Sequence, residues 1–322
     1  YKDFAAWQNE LLSDTELNNY RNYWLEQFQG DVPVLQIPTD HSRPTVKTYD
    51  SESVDFTLDK ELTAQIQELA KREKSSTFSN LFAAVLTLMH RYSGQEDIVL
   101  GTPVAGRDHH QLRDQVGCFL NMLPIRSALS AEQSFAELAK QTAKNLLDAQ
   151  TCQLYPFDRL VDDLKLERDT SRSPLYDVLV VSTDFDLVNP SDKIGYDIGM
   201  ELEFFDTDRA ANKYDLTFYF GEKDGEIQAN LAYNTSLFEK ARIHQMIAHL
   251  KNLLKALLAD PTQGIGTPSY ITEAEYKRWV LDFNDTVVPY AKEKTIHQLF
   301  EEQVLLRPQA PALRQEGQTV SY

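Results

Sequence analysis

The sequence predicts an α+β fold, a mixed and largely antiparallel sheet flanked by helices, and three observations carry that expectation. Apolar residues recur at helical spacing in residues 11–29, 60–73, 78–92, 134–149 and 238–258. Shorter stretches alternate apolar and polar residues or run apolar between turn signals, as strands do. Helices and strands take turns through the first half, and strand patterns then dominate residues 175–233 before the last long helix.

In chain order, Leu12, Leu17, Tyr20, Trp24 and Phe28 form one helical stripe, and Gly30 follows as a stop. Residues 32–44 hold three prolines and read as an extended connector. Val54, Phe56 and Leu58 share one side of a strand at 51–58. An amphipathic helix at 60–73 is followed by Ser75, Ser76 and Thr77, good N-cap residues, and by a more apolar, buried helix at 78–92. A short strand at 97–101 leads into a polar, glycine-punctuated loop at 101–117 and a second apolar strand at 118–125. Such a loop between buried strands is a usual place for function. Helices at 134–149 and 157–164 precede strands at 175–185, 199–205, 214–221 and 226–233, with Lys223, Asp224 and Gly225 as a hairpin turn. Residues 260–268 are rich in Gly and Pro and make the best linker candidate. Beyond them, short helices at 272–283 and 295–306 and a strand-like pair at 311–314 and 319–322 complete the pattern.

Composition narrows the function classes. The 322 residues, 42% hydrophobic and 11% aromatic, supply a core for one large domain or two small ones. Lys plus Arg number 32 against 49 Asp plus Glu, a net charge of −17, which repels nucleic acid. The densest basic stretch, 71–74, is interrupted by Glu73 and lies on a helical face. Cys118 and Cys152 are too few and too far apart for a disulfide framework or a zinc ligand set, which suits a reducing cytosol. The longest apolar run, 81–89, is about half of a membrane span, and residues 1–20 lack the pattern of a signal peptide. Tyr1 in place of Met, and a stop at Tyr322 inside a strand pattern, lead us to expect a piece of a longer polypeptide.

No self-sufficient catalytic set is visible: there is no G-x-S-x-G elbow, Walker loop, H-E-x-x-H or paired cysteine motif. The one tempting run is His109-His110-Gln111-Leu112-Arg113-Asp114-Gln115, close to an acyltransferase signature H-H-x-x-x-D-G. Gln115 stands where that signature needs Gly for close backbone approach, and the charged surroundings favour a solvated surface pair.

A resemblance covers most of the chain. Tyr1-Lys2-Asp3-Phe4-Ala5-Ala6-Trp7-Gln8 resembles the Y-x-D-Y-A-x-W-Q motif of nonribosomal peptide synthetase condensation domains. Ile37-Pro38-Thr39-Asp40 with Arg43-Pro44, Tyr92-Ser93-Gly94-Gln95 through Gly101-Thr102-Pro103-Val104-Ala105-Gly106-Arg107, and Val116-Gly117-Cys118-Phe119-Leu120-Asn121 through Arg126 are similar to further motifs of that family, in the expected order. Tyr155-Pro156-Phe157 and Arg168-Asp169-Thr170-Ser171-Arg172-Ser173-Pro174-Leu175 resemble the last two, although Cys152 stands where the family commonly has His. Phe283-Asn284-Asp285-Thr286, Thr295-Ile296-His297-Gln298-Leu299-Phe300-Glu301, Arg307-Pro308 and Val320-Ser321-Tyr322 resemble the start of an adenylation domain.

The resemblance implies a chloramphenicol acetyltransferase-like C-terminal lobe over residues 1–262, an interdomain linker at 263–294 and a truncated adenylation start at 295–322. It also implies a tunnel between two lobes, in which an acceptor amine on one peptidyl carrier protein attacks a donor thioester on another and forms an amide. The catalytic H-H-x-x-x-D-G would precede Tyr1 in the N-terminal lobe, so this chain holds no catalytic residue and is expected to be inactive alone. No cofactor is expected to bind it directly: phosphopantetheine arrives on the donor and acceptor carrier proteins, and ATP and Mg belong to the rest of the downstream adenylation domain. Neither nucleic acid nor a membrane is an expected partner, and the implied compartment is the cytoplasm. Candidate tunnel or structural residues are Thr102, Arg107, Asn121, Arg126, Ser182 and Thr183. Arg107 is the first of these, placed to hold the Asp of the missing motif as a bidentate pair. Open alternatives are an epimerisation or cyclisation variant, a non-catalytic module docking carrier proteins or partner enzymes, and a stand-alone acyltransferase using His109 and His110.

Overall fold

Capping side chains mark where the helices begin, and alternating apolar residues mark the strands between them. The computed structural model describes residues 1–11, 15–107, 109–167, 169–183 and 210–322. They form two compact units, Tyr1–Thr272 and Glu273–Tyr322. The first unit runs α1 (Lys2–Leu11), α2 (Thr15–Gln27), β1 (Asp50–Leu58), α3 (Lys60–Glu73), α4 (Thr77–Ser93), β2 (Asp97–Val104), β3 (Asn121–Ala128), α5 (Phe135–Thr151) and α6 (Phe157–Leu164). It continues with β4 (Val178–Ser182), β5 (Ala210–Ala211), β6 (Leu216–Lys223), β7 (Glu226–Asn234) and α7 (Lys240–Ala259). Asp59 accepts from the Leu62 N–H at 2.9 Å and starts α3, while Ser76 with Ser79 and Ser134 with Glu137 form reciprocal caps on α4 and α5.

Among the described residues, seven strands form one mixed sheet in the order β3-β2-β4-β6-β7-β1-β5. Every pair is antiparallel except those of β4, which runs parallel to both β2 and β6. Val54, Phe56 and Leu58 on β1 face the same side as Leu231, Ala229 and Ile227 on β7, and α3, α4, α5 and α7 cover that side. The result is the apolar core expected of a mixed α+β sheet, with Phe82, Val85, Leu86 and Met89 of α4 wholly buried at its centre. The β6–β7 turn is Asp224–Gly225, both with positive φ, the two-residue hairpin geometry that matches strand twist.

Several boundaries move. The single helix expected over 11–29 is replaced by α1, which the sequence pattern missed, and α2, with Leu12 outside the described residues. The strand expected at 118–125 begins three residues later, at Asn121, because residues 117–120 are drawn into the preceding loop. Pro124 fits within it because β3 is an edge strand, where a missing N–H costs no ladder bond. The strand expected at 175–185 is confined to Val178–Ser182, and the one expected at 199–205 lies outside the described residues.

Residues 260–272 depart most from expectation. Ile265 is fully buried and Gly264 pairs with Ser134. Arg91 donates to the carbonyls of Ile265 and Pro268 at 3.2 and 2.8 Å and lies 5.0 Å over the Tyr270 ring. The start of the expected linker is therefore a strap fastened to the first unit. Arg91→Ala is expected to cost about 1–2 kcal/mol and to expose the strap to limited proteolysis; unchanged melting and cleavage would show that Arg91 does not hold it.

In the second unit, α8 (Glu273–Tyr276) passes into a π-helical turn, Lys277–Leu281, and a 3-10 turn, Asp282–Asn284. There follow α9 (Ile296–Leu306) and a hairpin of β8 (Pro311–Gln315) and β9 (Gln318–Ser321). The Phe300 and Tyr322 rings pack at 5.2 Å within it.

Candidate functional site

The loop between β2 and β3 is built around one guanidinium. Arg107 donates through Nη1 to the carbonyl of Leu112 and, at 2.8 Å, to that of Gln115, and through Nη2 to that of Gly117 at 3.0 Å. Its face rests 4.3 Å from the centre of the Phe119 ring. Gly106 precedes it with φ +65, and a Cβ there would stand 2.0 Å from the Phe119 carbonyl oxygen, so only Gly lets the loop close. Phe119 meets Phe4 and Tyr1 of the N-terminal segment at 4.8 and 5.3 Å. Between α1 and this loop lies a cleft of about 380 Å³ lined by Tyr1, Phe4, Trp7, His109, Leu112 and Gln115 among others.

Asn121 closes the other end of the loop. Its Nδ2 donates to the carbonyls of Gln153 and Tyr155 at 2.7 and 2.9 Å, and its Oδ1 accepts the Phe157 and Met122 N–H groups at 3.0 and 2.9 Å. All four capacities of the amide are used, and the β3 edge is tied to the corner between α5 and α6. Arg126, farther along β3, pairs with Asp97 at 2.7 Å and donates to the carbonyls of Gln27, Gln29 and Asp31, closing off the end of α2. At the same corner Tyr155 donates to Asp163, which Arg21 also binds at 2.7 Å. Burial, aided by that carboxylate, pushes Tyr155 up to about 12 from an ordinary 10.0. A raised folded value means stability held below pH 10 and lost as the pH climbs toward 12. Tyr155→Phe is accordingly expected to lose less stability than the wild type across that window; equal slopes in pH-dependent melts would rule this out.

Of the other candidates, Thr102, Ser182 and Thr183 lie away from this cleft, and His109 and His110 belong to the loop itself. Thr102 is 5% exposed on β2 and lines a second cleft. Ser182 is exposed at the end of β4, and Thr183 donates its backbone N–H to the Phe220 carbonyl at 2.8 Å. His109 and His110 are exposed rings 4.6 Å apart, and the His109 Nδ1 accepts the Gln111 N–H of its own loop. No carboxylate orients either ring among the described residues, and no three His, Cys, Asp or Glu there could hold a metal.

A buried ionic network joins two stretches singled out in the sequence. Arg43 forks onto both oxygens of Asp215, and Arg172 binds Asp177 at 2.5 Å. Lys47 donates to Ser173, lies 4.0 Å from Asp177 and sits 5.7 Å over the Tyr214 ring. Burial pushes Lys47 down, against the pull of Asp177 and Asp215. Tyr176 stacks on Tyr214 at 5.3 Å and covers Gly101, where a Cβ would stand 2.1 Å from its ring. The network thus secures the start of β4 and of β6 where β4 meets β2 through one rung, Gly101 opposite Leu179. Sequence reasoning does not reach Lys47, Asp177 or Asp215. The available signal was an acid inside each apolar strand pattern, which must be paired if buried.

The condensation domain family model matches residues 1–280. Tyrocidine synthase 3 of Brevibacillus parabrevis is 36% identical over 323 residues, covering 100% of this chain and 5% of that protein. Gramicidin S synthase 2 of Brevibacillus brevis is 36% identical over 323 residues, covering 100% and 7%. Bacitracin synthase 3 of Bacillus licheniformis is 34% identical over 322 residues, covering 100% and 5%. The chain therefore spans less than a tenth of the length of these relatives. Among solved structures, the X-domain in complex with OxyB from teicoplanin biosynthesis has a similar fold, with a TM-score of 0.74 and 23% identity over 84% of this chain and 60% of that one. A four-domain nonribosomal peptide synthetase bound to AMP and glycine gives a TM-score of 0.74 and 22% identity over 96% and 24%.

Proposed function

The chain belongs to the condensation-domain family, and from that membership we propose that it is the C-terminal part of a nonribosomal peptide synthetase condensation domain. It forms one wall of a tunnel in which an amine on an acceptor carrier protein attacks a thioester on a donor carrier protein, making an amide. The observation that carries this reading is the loop of Arg107, locked at one end by Gly106 and at the other by Asn121. It brings three family-like stretches, residues 1–8, 101–107 and 116–126, into contact through the Phe119 ring, which meets Arg107, Tyr1 and Phe4. His109 and Asp3 line the cleft, but Gln115 stands where H-H-x-x-x-D-G has Gly, which fits a base supplied by an N-terminal lobe carrying the intact motif. Phosphopantetheine would enter on the carrier proteins. Residues 1–262, with the strap to 272, make the condensation part; the following residues to 294 link it to the start of an adenylation domain at 295–322, whose remainder would use ATP and Mg. No described helix is long and apolar enough to cross a membrane, and a cytoplasmic setting suits the two free cysteines.

The test is amide formation by the longer polypeptide with aminoacyl-loaded donor and acceptor carrier proteins, followed by mass spectrometry. Product from that polypeptide, none from residues 1–322 alone, and loss on replacing the second His of the N-terminal motif by Ala are expected. Amide from residues 1–322 alone, abolished by His109→Ala with His110→Ala, would overturn the reading in favour of a stand-alone acyltransferase. Epimerised or heterocyclised donor would overturn it in favour of a family variant, and carrier binding without any product in favour of a docking module. In the longer polypeptide, Arg107→Ala is expected to lower both melting temperature and turnover, since the loop loses its centre; unchanged values would remove Arg107 from the site.

A further inference from the structure

Pro103 stands in an interior strand, where a missing N–H interrupts the ladder. β2 pairs with β3 from Asp97 to Val104, and β4 pairs with β6 from Val178 to Ser182. Between these two ribbons the described residues pair at a single rung, Gly101 opposite Leu179. The Thr183 N–H reaches the Phe220 carbonyl at 2.8 Å, so by strand alternation Leu179 and Val181 also turn their backbone groups to β6, while Val178, Val180 and Ser182 turn theirs to β2. Gly101 therefore pairs through its N–H with the Val178 carbonyl and through its carbonyl with the Val180 N–H. The next rung needs an N–H at position 103 for the Val180 carbonyl, and proline has none. On the other side of the rung, Leu175, with φ 68, and the Tyr176 N–H, bound to the Pro174 carbonyl at 2.9 Å, make a turn that ends the pairing.

Side chains hold this seam where hydrogen bonds do not. Tyr176, 3% exposed, covers Gly101 of β2 and stacks on Tyr214, which precedes β6, so its ring lies across the seam. α4 packs against both strands. On one side of the seam stand β2, β3 and the Arg107 loop, whose His109, Gln111, Leu112 and Gln115 line the first cleft. Asn121 ties that side to the corner between α5 and α6. On the other side stand β4, β6, β7 and β1.

We infer that the sheet is hinged along this seam: β2, β3 and their loop swing as one arm against the remaining strands, Pro103 keeps the seam from zipping, and Tyr176 latches it. Swinging the arm moves the loop that lines the first cleft. The hinge is independent of the peptide-bond reading, since it requires neither substrate nor carrier protein.

Hydrogen exchange of residues 1–322, resolved at single amides, tests it with two adjacent residues as the comparison. The Val180 N–H crosses the seam, whereas that of Val181 binds β6. In the wild type, Gly101 and Val180 are expected to exchange about tenfold faster than Val181 and Phe220, because the seam opens without the rest of the sheet. Pro103→Ala supplies the missing N–H and is expected to narrow that ratio about fivefold, the effect of one added hydrogen bond. Tyr176→Leu should widen the ratio, and Tyr176→Phe, which keeps the ring, should leave it as it was. Equal exchange of Val180 and Val181 in the wild type, or a ratio that Pro103→Ala leaves unchanged, overturns the inference. Should Pro103→Ala fail to fold, a ratio unmoved by Tyr176→Leu overturns it as well.

Discussion

Arg43→Ala is expected to lower the stability of the first unit by about 3–5 kcal/mol, the cost of leaving one member of a buried ion pair alone. The Asp215 side chain is 1% exposed and Arg43 is its bidentate partner. Burial already pushes the Asp215 carboxyl up, Arg43 pulls it down, and the charge of Asp177 pushes it up again. Without Arg43 only Lys47, itself pushed down by burial, remains to offset those two. The sign of the pH dependence follows. A carboxyl raised in the folded state contributes stability below its unfolded value and loses it as the pH rises through the folded value. The deficit of Arg43→Ala should therefore be greatest near neutral pH and shrink on acidification. Adding Asp215→Asn should recover part of the loss, since the buried charge is gone. Urea unfolding of the three proteins at neutral and mildly acid pH measures this. A loss below about 1 kcal/mol, typical of an exposed pair, would mean that the network does not hold the sheet.

Asn121→Leu is expected to cost about 3 kcal/mol, because the carbonyls of Gln153 and Tyr155 and the N–H of Phe157 lose their partner together. Asn121→Asp keeps the size and the acceptor but presents an anion to two carbonyl oxygens. Its loss should match that of Asn121→Leu at neutral pH and recover in acid, where the introduced carboxyl can donate one bond. The measurement is again chemical unfolding, with tryptophan fluorescence reporting the region, since Trp24 donates to the Cys152 carbonyl at the same corner. Equal stability of Asn121→Asp at both pH values would place the amide outside the clamp.

These two residues also mark how far the sequence can be read. Asn121 stands out because an amide in an apolar strand must have partners, yet apart from the neighbouring Met122 N–H they lie 32 to 36 residues away, where local pattern does not reach. The Arg43 partner is 172 residues away, and local pattern carries no such information. Helix 60–73, helix 157–164 and the Asp224–Gly225 hairpin are legible to the residue or nearly so. Their signals are local: a capping side chain, a 3.6-residue stripe and a turn dipeptide. The start of β3 is misplaced by pattern alone because Cys118 and Phe119 look like strand residues, while Arg107 draws that backbone into a loop instead. The strap at 260–272 misleads for the same reason: Gly and Pro read as a linker, and Arg91 with a buried Ile265 turns it into part of the body.

The fold class, most of the order of helices and strands and the family likeness were present in the sequence, because each rests on neighbours in the chain or on composition. It took the folded molecule to decide which charges pair, that Arg107 binds the carbonyls of its own loop, that Thr102 lines a separate cleft and where the first unit ends. Those outcomes depend on distant side chains meeting in a low-dielectric interior, where an unpaired charge or amide is too costly to leave and the fold must supply its partner.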